Sequence, residues 1–428
     1  MGYTLSKTFS KGGSIEYFQA ILGLIVFIGI AWALSENKKA FPKKVVLTGL
    51  GLQFIIALCL LFVPGIKQVF LKVNDLALII NDVTNQGSHF MFGFLAGSPL
   101  PQEAANLGIG PVIAFQVLPI VLVTSAFSAV LFHWGILQKL VLGFAFVLRK
   151  FMGAGGAMGL GVASNIFLGI IEAPILIRPY LKQMSRSELF TLLTSGMATI
   201  AGTVLVLYAT ILKDSVPDAL GQILLASLIS APAAILIAQI MIPQGRISDK
   251  AIDLSTEKET TSAFDALIKG TFDGLQMVLN IVAVIIVVFA SVALINKGLG
   301  LVTISGKELS LQNLFGFVFT PITWLMGLSW QESLIAGPLM GTKTALNEFV
   351  AYSELARVHS GNLSEKSRVI LTFAMCGFAN FGSLGILVGG LGTILPERRQ
   401  EILELGLKAI LAGTLATCMT GSVIAIFI

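Results

Sequence analysis

The sequence predicts an all-α polytopic membrane protein with about eight transmembrane helices, two re-entrant hairpins in an inverted repeat, and interfacial helices. Three observations lead to this prediction. Of the 428 residues, 55% are hydrophobic and only 12% are charged, which is about half of the charged share of soluble domains. Long stretches of the chain contain no charged residue. Two further apolar stretches carry carboxylates and are interrupted by Gly and Pro.

A helix needs about 20 apolar residues to cross the hydrocarbon core. Eight stretches without Asp, Glu, Lys or Arg reach or nearly reach that length: 17–35, 45–65, 108–138, 189–212, 219–245, 274–296, 369–396 and 409–428. Apolar and polar residues alternate at helical spacing over 66–83, which predicts a helix lying in the membrane interface.

Basic residues between these stretches orient the chain, because cytoplasmic loops are rich in Lys and Arg. The basic stretches are Lys38 to Lys44, Lys139 to Lys150, Arg178 to Arg186, Arg246 to Lys269, and Arg398 with Arg399. If all of them face the cytoplasm, the protein is a multi-pass inner-membrane protein with both termini on the outer side. We interpret this basic charge as a topology signal, and we expect no nucleic-acid partner.

Two apolar segments are predicted not to cross the membrane. Segment 155–180 contains Glu172 and segment 317–350 contains Glu348, each beside Gly and Pro. An ionised carboxylate at membrane depth costs at least about 2.5 kcal/mol. Irregular backbone at that depth is tolerated only inside protein or along a cavity. Both segments are therefore predicted to be re-entrant hairpins whose carboxylates bind a polar solute, carry a proton or hydrogen-bond the hairpin tips.

The two halves of the chain resemble each other. SGMATIAG at 195–202 matches CGFANFGS at 376–383, and Glu172 lies at a similar offset from Glu348. The charge pattern gives the halves opposite orientations, which is the architecture of many secondary transporters. The predicted organisation is N-terminal transmembrane and interfacial helices at 1–110, scaffold helices at 111–150 and 270–300, a first repeat at 151–245 and a second at 311–428. Each repeat is predicted to be a hairpin followed by a helix with a Gly-rich polar break.

The polar residues near the two carboxylates predict a solute site. Asn165 and Thr199 offer neutral oxygens, which suit a monovalent cation such as sodium better than calcium. Asn380, Ser383 and Phe378 offer hydrogen bonds and an aromatic face. The three cysteines and three histidines are scattered, and no nucleophile–base or metal-ligand set is present, so we do not expect an enzyme.

Four blocks carry a resemblance to a known family: SNIFLGIIEAP (164–174), GTKTALNEFVAY (341–352), CGFANFGSLGI (376–386) and PERR (396–399). With these blocks the chain resembles the concentrative nucleoside transporter family, in its bacterial, sodium-coupled form. The resemblance implies eight transmembrane helices in membrane lipid, two opposed hairpins, and a homotrimer with one transport site in each protomer.

The resemblance also implies roles for single residues. Glu348 would bind the ribose hydroxyls, with Asn380 and Ser383 completing the sugar site. Phe378 would pack against the nucleoside base.

At the base end, Glu172 would meet the polar edge and Val204 would line the pocket. Many family members have a Gln followed by a Ser or Thr just before the first-hairpin Glu, where this chain has Ile170 and Ile171. The purine or pyrimidine preference therefore stays open.

Sodium would bind the side chains of Asn165 and Thr199 and the carbonyls of Leu168, Thr199 and Ile200, as a coupling ion. The expected function is sodium-driven nucleoside import by alternating access. Proton coupling within the same fold and a passive polar-solute channel are the alternatives.

Overall fold

The computed structural model describes residues 14–97, 112–243, 260–304 and 307–428. Almost every described element is a helix. The exception is a short antiparallel ladder between β1 (Thr303–Ile304) and β2 (Lys307–Glu308). The all-helical prediction is confirmed.

The described residues form nineteen α-helices. The first six are α1 (Ser14–Ala33), α2 (Lys43–Phe62), α3 (Pro64–Phe92), α4 (Ile113–Gln116), α5 (Pro119–His133) and α6 (Ile136–Met152). The next six are α7 (Gly156–Asn165), α8 (Glu172–Leu176), α9 (Arg178–Leu181), α10 (Arg186–Ala198), α11 (Gly202–Leu212) and α12 (Ala219–Met241). The last seven are α13 (Ala263–Leu299), α14 (Leu311–Leu325), α15 (Trp330–Ala345), α16 (Glu348–Arg357), α17 (Glu365–Met375), α18 (Phe381–Ile394) and α19 (Arg399–Phe427).

Seven described stretches are long and apolar enough to cross a membrane. They are Ile15–Ala33, Lys43–Phe62, Ala114–His133, Arg186–Leu212, Ala219–Met241, Ala263–Leu299 and Pro396–Phe427. This length test supports seven of the eight predicted spans among the described residues. The predicted span 369–396 is divided into α17 and α18, of 11 and 14 residues, and neither half is long enough alone.

Two of the predicted boundaries also differ. Segment 317–350 covers most of α14, all of α15 and the start of α16, so the turn that carries Glu348 lies between α15 and α16. The interfacial helix predicted at 66–83 is the middle of the 29-residue helix α3. Residues 108–111 of the third predicted span, residues 244 and 245 of the fifth, and residues 246–259 of the fourth basic stretch lie outside the described residues.

The core is formed by α10, α12 and α19, which contact one another. In α12, 89% of the most apolar stretch is buried, whereas the corresponding value in α13 is 6%. Helix α13 packs along α5 and exposes the rest of its apolar surface. The polar sites described below therefore belong to the interior helices, and α13 lies at the periphery.

Arg398 links the two halves of the chain. Its guanidinium donates to the carbonyls of Leu181 and Met184 at 3.2 and 2.7 Å and to the carboxylate of Glu401 at 2.7 Å. Through Arg398, the PERR block thus connects the end of α9 to the start of α19. Arg398 therefore has a structural role, whereas in the sequence the PERR block stands out only for its resemblance to a known family.

We expect Arg398→Ala to lower the thermal unfolding temperature of the detergent-solubilised protein. The substitution leaves two carbonyls without their donor, and a hydrogen bond to a charged group contributes about 1.5–3 kcal/mol. The exposed neighbour Arg399 has no hydrogen bond or ion pair within the described chain, so Arg399→Ala is the control. Equal unfolding temperatures for the two variants would contradict the assigned role of Arg398.

Candidate functional site

Glu348 is the first residue of α16 and is only 5% exposed. The side chain of Asn347 caps this helix by accepting from the backbone N–H of Val350 at 3.0 Å. A carboxylate is favoured at a helix N-terminus, where free N–H groups carry partial positive charge. The sequence Asn-Glu therefore places a buried anion at the turn after α15.

Two side chains from other helices donate to this carboxylate. The Tyr208 hydroxyl lies 2.6 Å from Oε1, and Nδ2 of Asn380 lies 2.9 Å from Oε2. Tyr208 belongs to α11 in the first half and Asn380 precedes α18 in the second half. Glu348 therefore joins the two halves of the molecule.

Asn380 has two contacts at once. Its Oδ1 accepts from the backbone N–H of Ser383 at 2.7 Å and so caps α18, while its Nδ2 donates to Glu348. Ser383 lies in the first turn of α18 and is 8% exposed. Phe378 lies two residues before Asn380 in the segment between α17 and α18 and is half-buried. The start of α18 thus lies beside the Glu348 carboxylate. Asn380 caps this helix, Phe378 lies just before the cap, and Ser383 lies in the first turn.

Tyr208 was not among the predicted site residues. It follows Val204 by four positions in α11, so both side chains lie on one face of the helix. Val204 is 4% exposed, and the Tyr208 ring packs on Tyr352 with centroids 5.3 Å apart. A tyrosine one turn after a predicted pocket residue, in an otherwise apolar helix, is the signal that would have found it.

The two helix breaks lie against each other. The first separates α10 from α11 at residues 199–201, and the second separates α17 from α18 at 376–380. A Cβ at Gly377 would lie 2.7 Å from the carbonyl oxygen of Met197. Only glycine allows this approach of the two backbones, so the second break lies against the end of α10, next to the first break.

The first break contains oxygens that lack donors. Asn165 ends α7 and is 2% exposed, and its Oδ1 is buried with no partner in the described chain. The Thr199 hydroxyl donates to the carbonyls of Asn165 and Ser195 at 3.2 and 2.9 Å. Within the same described residues, the carbonyls of Leu168, Thr199 and Ile200 accept no hydrogen bond.

Buried polar atoms in folded proteins are nearly always paired, so a cluster of free acceptors indicates a bound donor or cation. Neutral carbonyl and amide oxygens are hard ligands of the kind that alkali cations accept. These residues therefore fit a sodium ion. The turn after α7 contacts the first break, where the Gly202 N–H donates to the Phe167 carbonyl at 3.1 Å. This contact brings together the four residues of the candidate site: Asn165, Leu168, Thr199 and Ile200.

The remaining predicted residues lie on the turn between α7 and α8. Glu172 begins α8 and is exposed, and its carboxylate contacts Gly169 in the same turn. Ile170 lies beside Gly196 of α10, and Ile171 lies beside Gly390 of α18. Among the described residues, no hydrogen bond joins Glu172 to Glu348 or Asn380. In this structure Glu172 therefore does not take part in the hydrogen bonds that join Glu348 to Tyr208 and Asn380.

Three family models match the chain. Residues 22–95 match the N-terminal part of the Na⁺-dependent nucleoside transporters, residues 114–215 match a model described as nucleoside recognition, and residues 222–425 match the C-terminal part of the same transporters. A nucleoside permease of Helicobacter pylori, NupC, is 35% identical over 96% of this chain and 97% of its own length.

The chain belongs to the Na⁺-dependent nucleoside transporter family. A structure of the family member CNTnw in an inward-facing, substrate-bound state has a TM-score of 0.86 and 33% identity, covering 96% of this chain and 98% of that chain. The human sodium/nucleoside cotransporter 1 is 32% identical over 98% of this chain and 66% of its own length. This chain is the same kind of protein: it is a multi-pass membrane transporter of nucleosides and not an enzyme.

In this nucleoside transporter we expect Tyr208→Phe to weaken nucleoside binding by at least about tenfold. The change removes a charge-assisted hydrogen bond worth about 1.5–3 kcal/mol, and about 1.4 kcal/mol corresponds to tenfold in affinity. Tyr352→Phe is the matched control, because the Tyr352 hydroxyl donates to the Thr372 carbonyl at 2.9 Å and not to Glu348. Isothermal titration with uridine measures both variants, and an unchanged affinity for Tyr208→Phe would contradict the role.

Proposed function

We propose that this protein is a secondary active symporter that imports nucleosides, driven by the sodium gradient through alternating access. The observation that carries the proposal is the buried carboxylate of Glu348, held by Tyr208 and Asn380 where the two helix breaks meet. Such sites at the interface of two repeats are where secondary transporters bind their substrates. The printed names of a nucleoside permease and a sodium/nucleoside cotransporter among its relatives support the same function.

The sugar end of the substrate would bind in the second half. Glu348 accepts hydrogen bonds from the ribose hydroxyls, and Asn380 and Ser383 complete this side of the site. The Phe378 ring packs against the base. Because Glu348 is already oriented by two donors, a ribose would meet a carboxylate that needs little rearrangement.

The base would extend toward the first half of the chain. Val204 lines its pocket, one turn before Tyr208, and Glu172 meets its polar edge. Ile170 and Ile171 stand where many family members have a Gln followed by a Ser or Thr, and their side chains lie beside Gly196 and Gly390. Base recognition therefore relies on the shape of the pocket and on Glu172, because this chain lacks the side-chain amide that a Gln at position 170 would supply.

The coupling ion would be sodium, bound by Asn165 and Thr199 side chains and by the carbonyls of Leu168, Thr199 and Ile200. The unpartnered Asn165 Oδ1 is the feature that favours a cation there. This site lies between the first hairpin and the first break, so its occupancy would stabilise the arrangement of α10 and α11 that presents Val204 and Tyr208.

Alternating access would move the hairpins and the broken helices against a scaffold. We propose that the segments 156–181 and 330–357 are re-entrant hairpins of an inverted repeat, and that the broken helix α17–α18 completes an eighth crossing. The scaffold would consist of α5 and α13, whose exposed apolar surface would face lipid and the neighbouring subunits of a homotrimer. Thr124 of α5 already contacts the moving part, donating to the Thr203 carbonyl at 2.6 Å.

Purified protein in sealed vesicles tests the proposal directly. Labelled uridine and adenosine are supplied with an inward sodium gradient, an inward proton gradient or no gradient. We expect accumulation above the outside concentration with the sodium gradient alone, and its loss when a sodium ionophore is added. Accumulation driven by protons would replace sodium by a proton as the coupling ion, and equilibration in the absence of any gradient would identify a passive channel.

A further inference from the structure

Ser227 contacts both helix breaks of the protein. It lies in α12 and is 0% exposed. Its Oγ accepts a hydrogen bond from the backbone N–H of Ile200, in the first break, at 3.4 Å. The same oxygen lies 3.7 Å from Sγ of Cys376, the first residue of the second break. Neither the proposed sodium site nor the proposed sugar site includes Ser227.

Donors and acceptors around Ser227 follow one direction. The Cys376 thiol donates to the carbonyl of Ile223, one turn before Ser227 in α12, at 3.5 Å. Because the thiol hydrogen is used there, the Ser227 hydroxyl donates to Sγ of Cys376, and its oxygen accepts from the Ile200 N–H. A chain of three hydrogen bonds thus runs from the first break to the second and ends on α12. Hydrogen bonds in such a chain polarise and strengthen one another.

The Ile200 N–H belongs to a peptide that is also part of the proposed sodium site. Among the described residues this N–H has no other acceptor. The Thr199 carbonyl, a proposed sodium ligand, lies in the same planar trans peptide, where the C=O and the N–H point in opposite directions. The hydrogen bond to Ser227 therefore fixes the direction of the Thr199 carbonyl oxygen. A cation on that oxygen would in turn make the N–H a stronger donor.

The other end of this chain of hydrogen bonds leads to the proposed sugar site. Cys376 follows the last residue of α17, and Asn380, four residues later, caps α18. Asn380 also donates to Glu348 at 2.9 Å. The second break contains only the five residues 376–380, so the position of Cys376 restricts that of Asn380.

We propose that Ser227 is a positioning residue that couples sodium binding in the first break to nucleoside binding in the second. With sodium bound, the polarised Ile200 N–H holds the Ser227 hydroxyl. That hydroxyl holds Cys376 and, through it, the position of Asn380. Coupling between two sites is reciprocal, so the nucleoside should raise the sodium affinity by the same factor. The inference rests on the proposed function, because it takes the first break as the sodium site.

The coupling factor of the wild type and of variants tests this role. It is the ratio of the uridine affinities measured by isothermal titration at saturating sodium and without sodium, with choline chloride holding the ionic strength constant. We expect Ser227→Ala to lower this ratio by about two- to tenfold, the contribution of one uncharged hydrogen bond. The loss should appear in the affinity at saturating sodium and not in the affinity without it. Size-exclusion chromatography checks that each variant is folded.

Matched variants separate coupling from packing. Ser230→Ala removes a second fully buried serine of α12, whose Oγ lies 3.1 Å from Oγ1 of Thr420 and has no hydrogen bond to either break in the described chain. We expect Ser230→Ala to keep the wild-type ratio. At the other end of the contact, Cys376→Ala should lower the ratio as Ser227→Ala does, whereas Cys376→Ser keeps a donor and should keep the ratio.

The double variant Ser227→Ala with Cys376→Ala shows whether the two residues act together. If they act through one chain of hydrogen bonds, the double variant should lose no more coupling than either single variant. A loss equal to the product of the two single losses would overturn the proposal, and so would a wild-type ratio in Ser227→Ala. A ratio lowered equally by Ser230→Ala would assign the effect to the packing of α12 and overturn it as well.

These outcomes differ from a failure of the proposed function. A wild type whose uridine affinity does not depend on sodium would reject sodium coupling itself, and the coupling role of Ser227 with it. The contact between Ser227 and Cys376 has a second readout that needs neither sodium nor transport, which is the thermal unfolding temperature in sodium-free buffer. The double variant should lose less than the sum of the two single variants there. Additive losses would reject the contact and leave the proposed function standing.

Discussion

Replacing Glu348 by Gln is expected to lower nucleoside uptake by more than about 100-fold. Both partners of this carboxylate, Tyr208 and Asn380, donate hydrogen bonds to it. A glutamine can keep both contacts, with its oxygen accepting from Asn380 and its N–H₂ group donating to the Tyr208 hydroxyl, but the charge that would orient ribose is lost. A hydrogen bond to a charged group contributes about 1.5–3 kcal/mol, so the loss of two such bonds between Glu348 and the ribose hydroxyls corresponds to more than about 100-fold in affinity.

Uptake of labelled uridine into vesicles with a sodium gradient measures this effect, and size-exclusion chromatography checks that the variant is folded. Glu365→Gln is the matched control, because Glu365 is an exposed carboxylate in the first turn of α17. We expect the control to transport at the wild-type rate. Uptake by Glu348→Gln within about twofold of the wild type would remove Glu348 from the substrate site, since a charge-assisted hydrogen bond contributes more than that.

Replacing Asn165 by Ala is expected to raise the sodium concentration for half-maximal uptake by about 10- to 100-fold, the range seen when metal sites lose supporting contacts. The Asn165 Oδ1 is a buried acceptor with no donor in the described part of the chain. Its removal takes one oxygen from the proposed sodium site, whereas Glu348 and Asn380 of the proposed sugar site stay in place. The defect should therefore appear in sodium dependence.

Initial uptake rates measured over a range of sodium concentrations at fixed uridine test this expectation. Asn362→Ala provides the control, because Asn362 is exposed in the segment before α17. At saturating sodium, Asn165→Ala should regain nucleoside affinity close to that of the wild type. A sodium curve that matches the wild type would place the coupling ion elsewhere.

The organisation of the helices was largely predictable from the sequence. Apolar length and the positions of charged residues are local quantities, and they identified the seven stretches that the structure supports as spans. The predicted span 369–396 is broken where the sequence has a Gly-rich polar segment, because the chain leaves helical geometry at Cys376 and Asn380 caps a new helix.

The candidate site was predictable in part. Asn380 and Ser383 were identified by their place in the repeat, and the structure explains their spacing as a helix cap. Tyr208 was missed because it lies 140 positions from its partner Glu348. Its position one turn after Val204 pointed to the pocket but not to that partner. The burial of Lys343 was likewise not apparent, because a lysine near a helix end is usually exposed.

By itself, the sequence determined that this protein is a helical membrane protein, that Glu172 and Glu348 recur in a repeat, and that the chain resembles nucleoside transporters. These conclusions depend on composition, spacing and motif, which are properties of the linear chain. Only the tertiary structure decided that Glu348 contacts Tyr208 and Asn380, that Glu172 forms no hydrogen bond with Glu348 or Asn380, and that Lys343 is buried with no hydrogen-bond partner among the described residues. Those facts depend on how distant helices pack, because a hydrogen bond forms only where two groups are brought within about 3 Å.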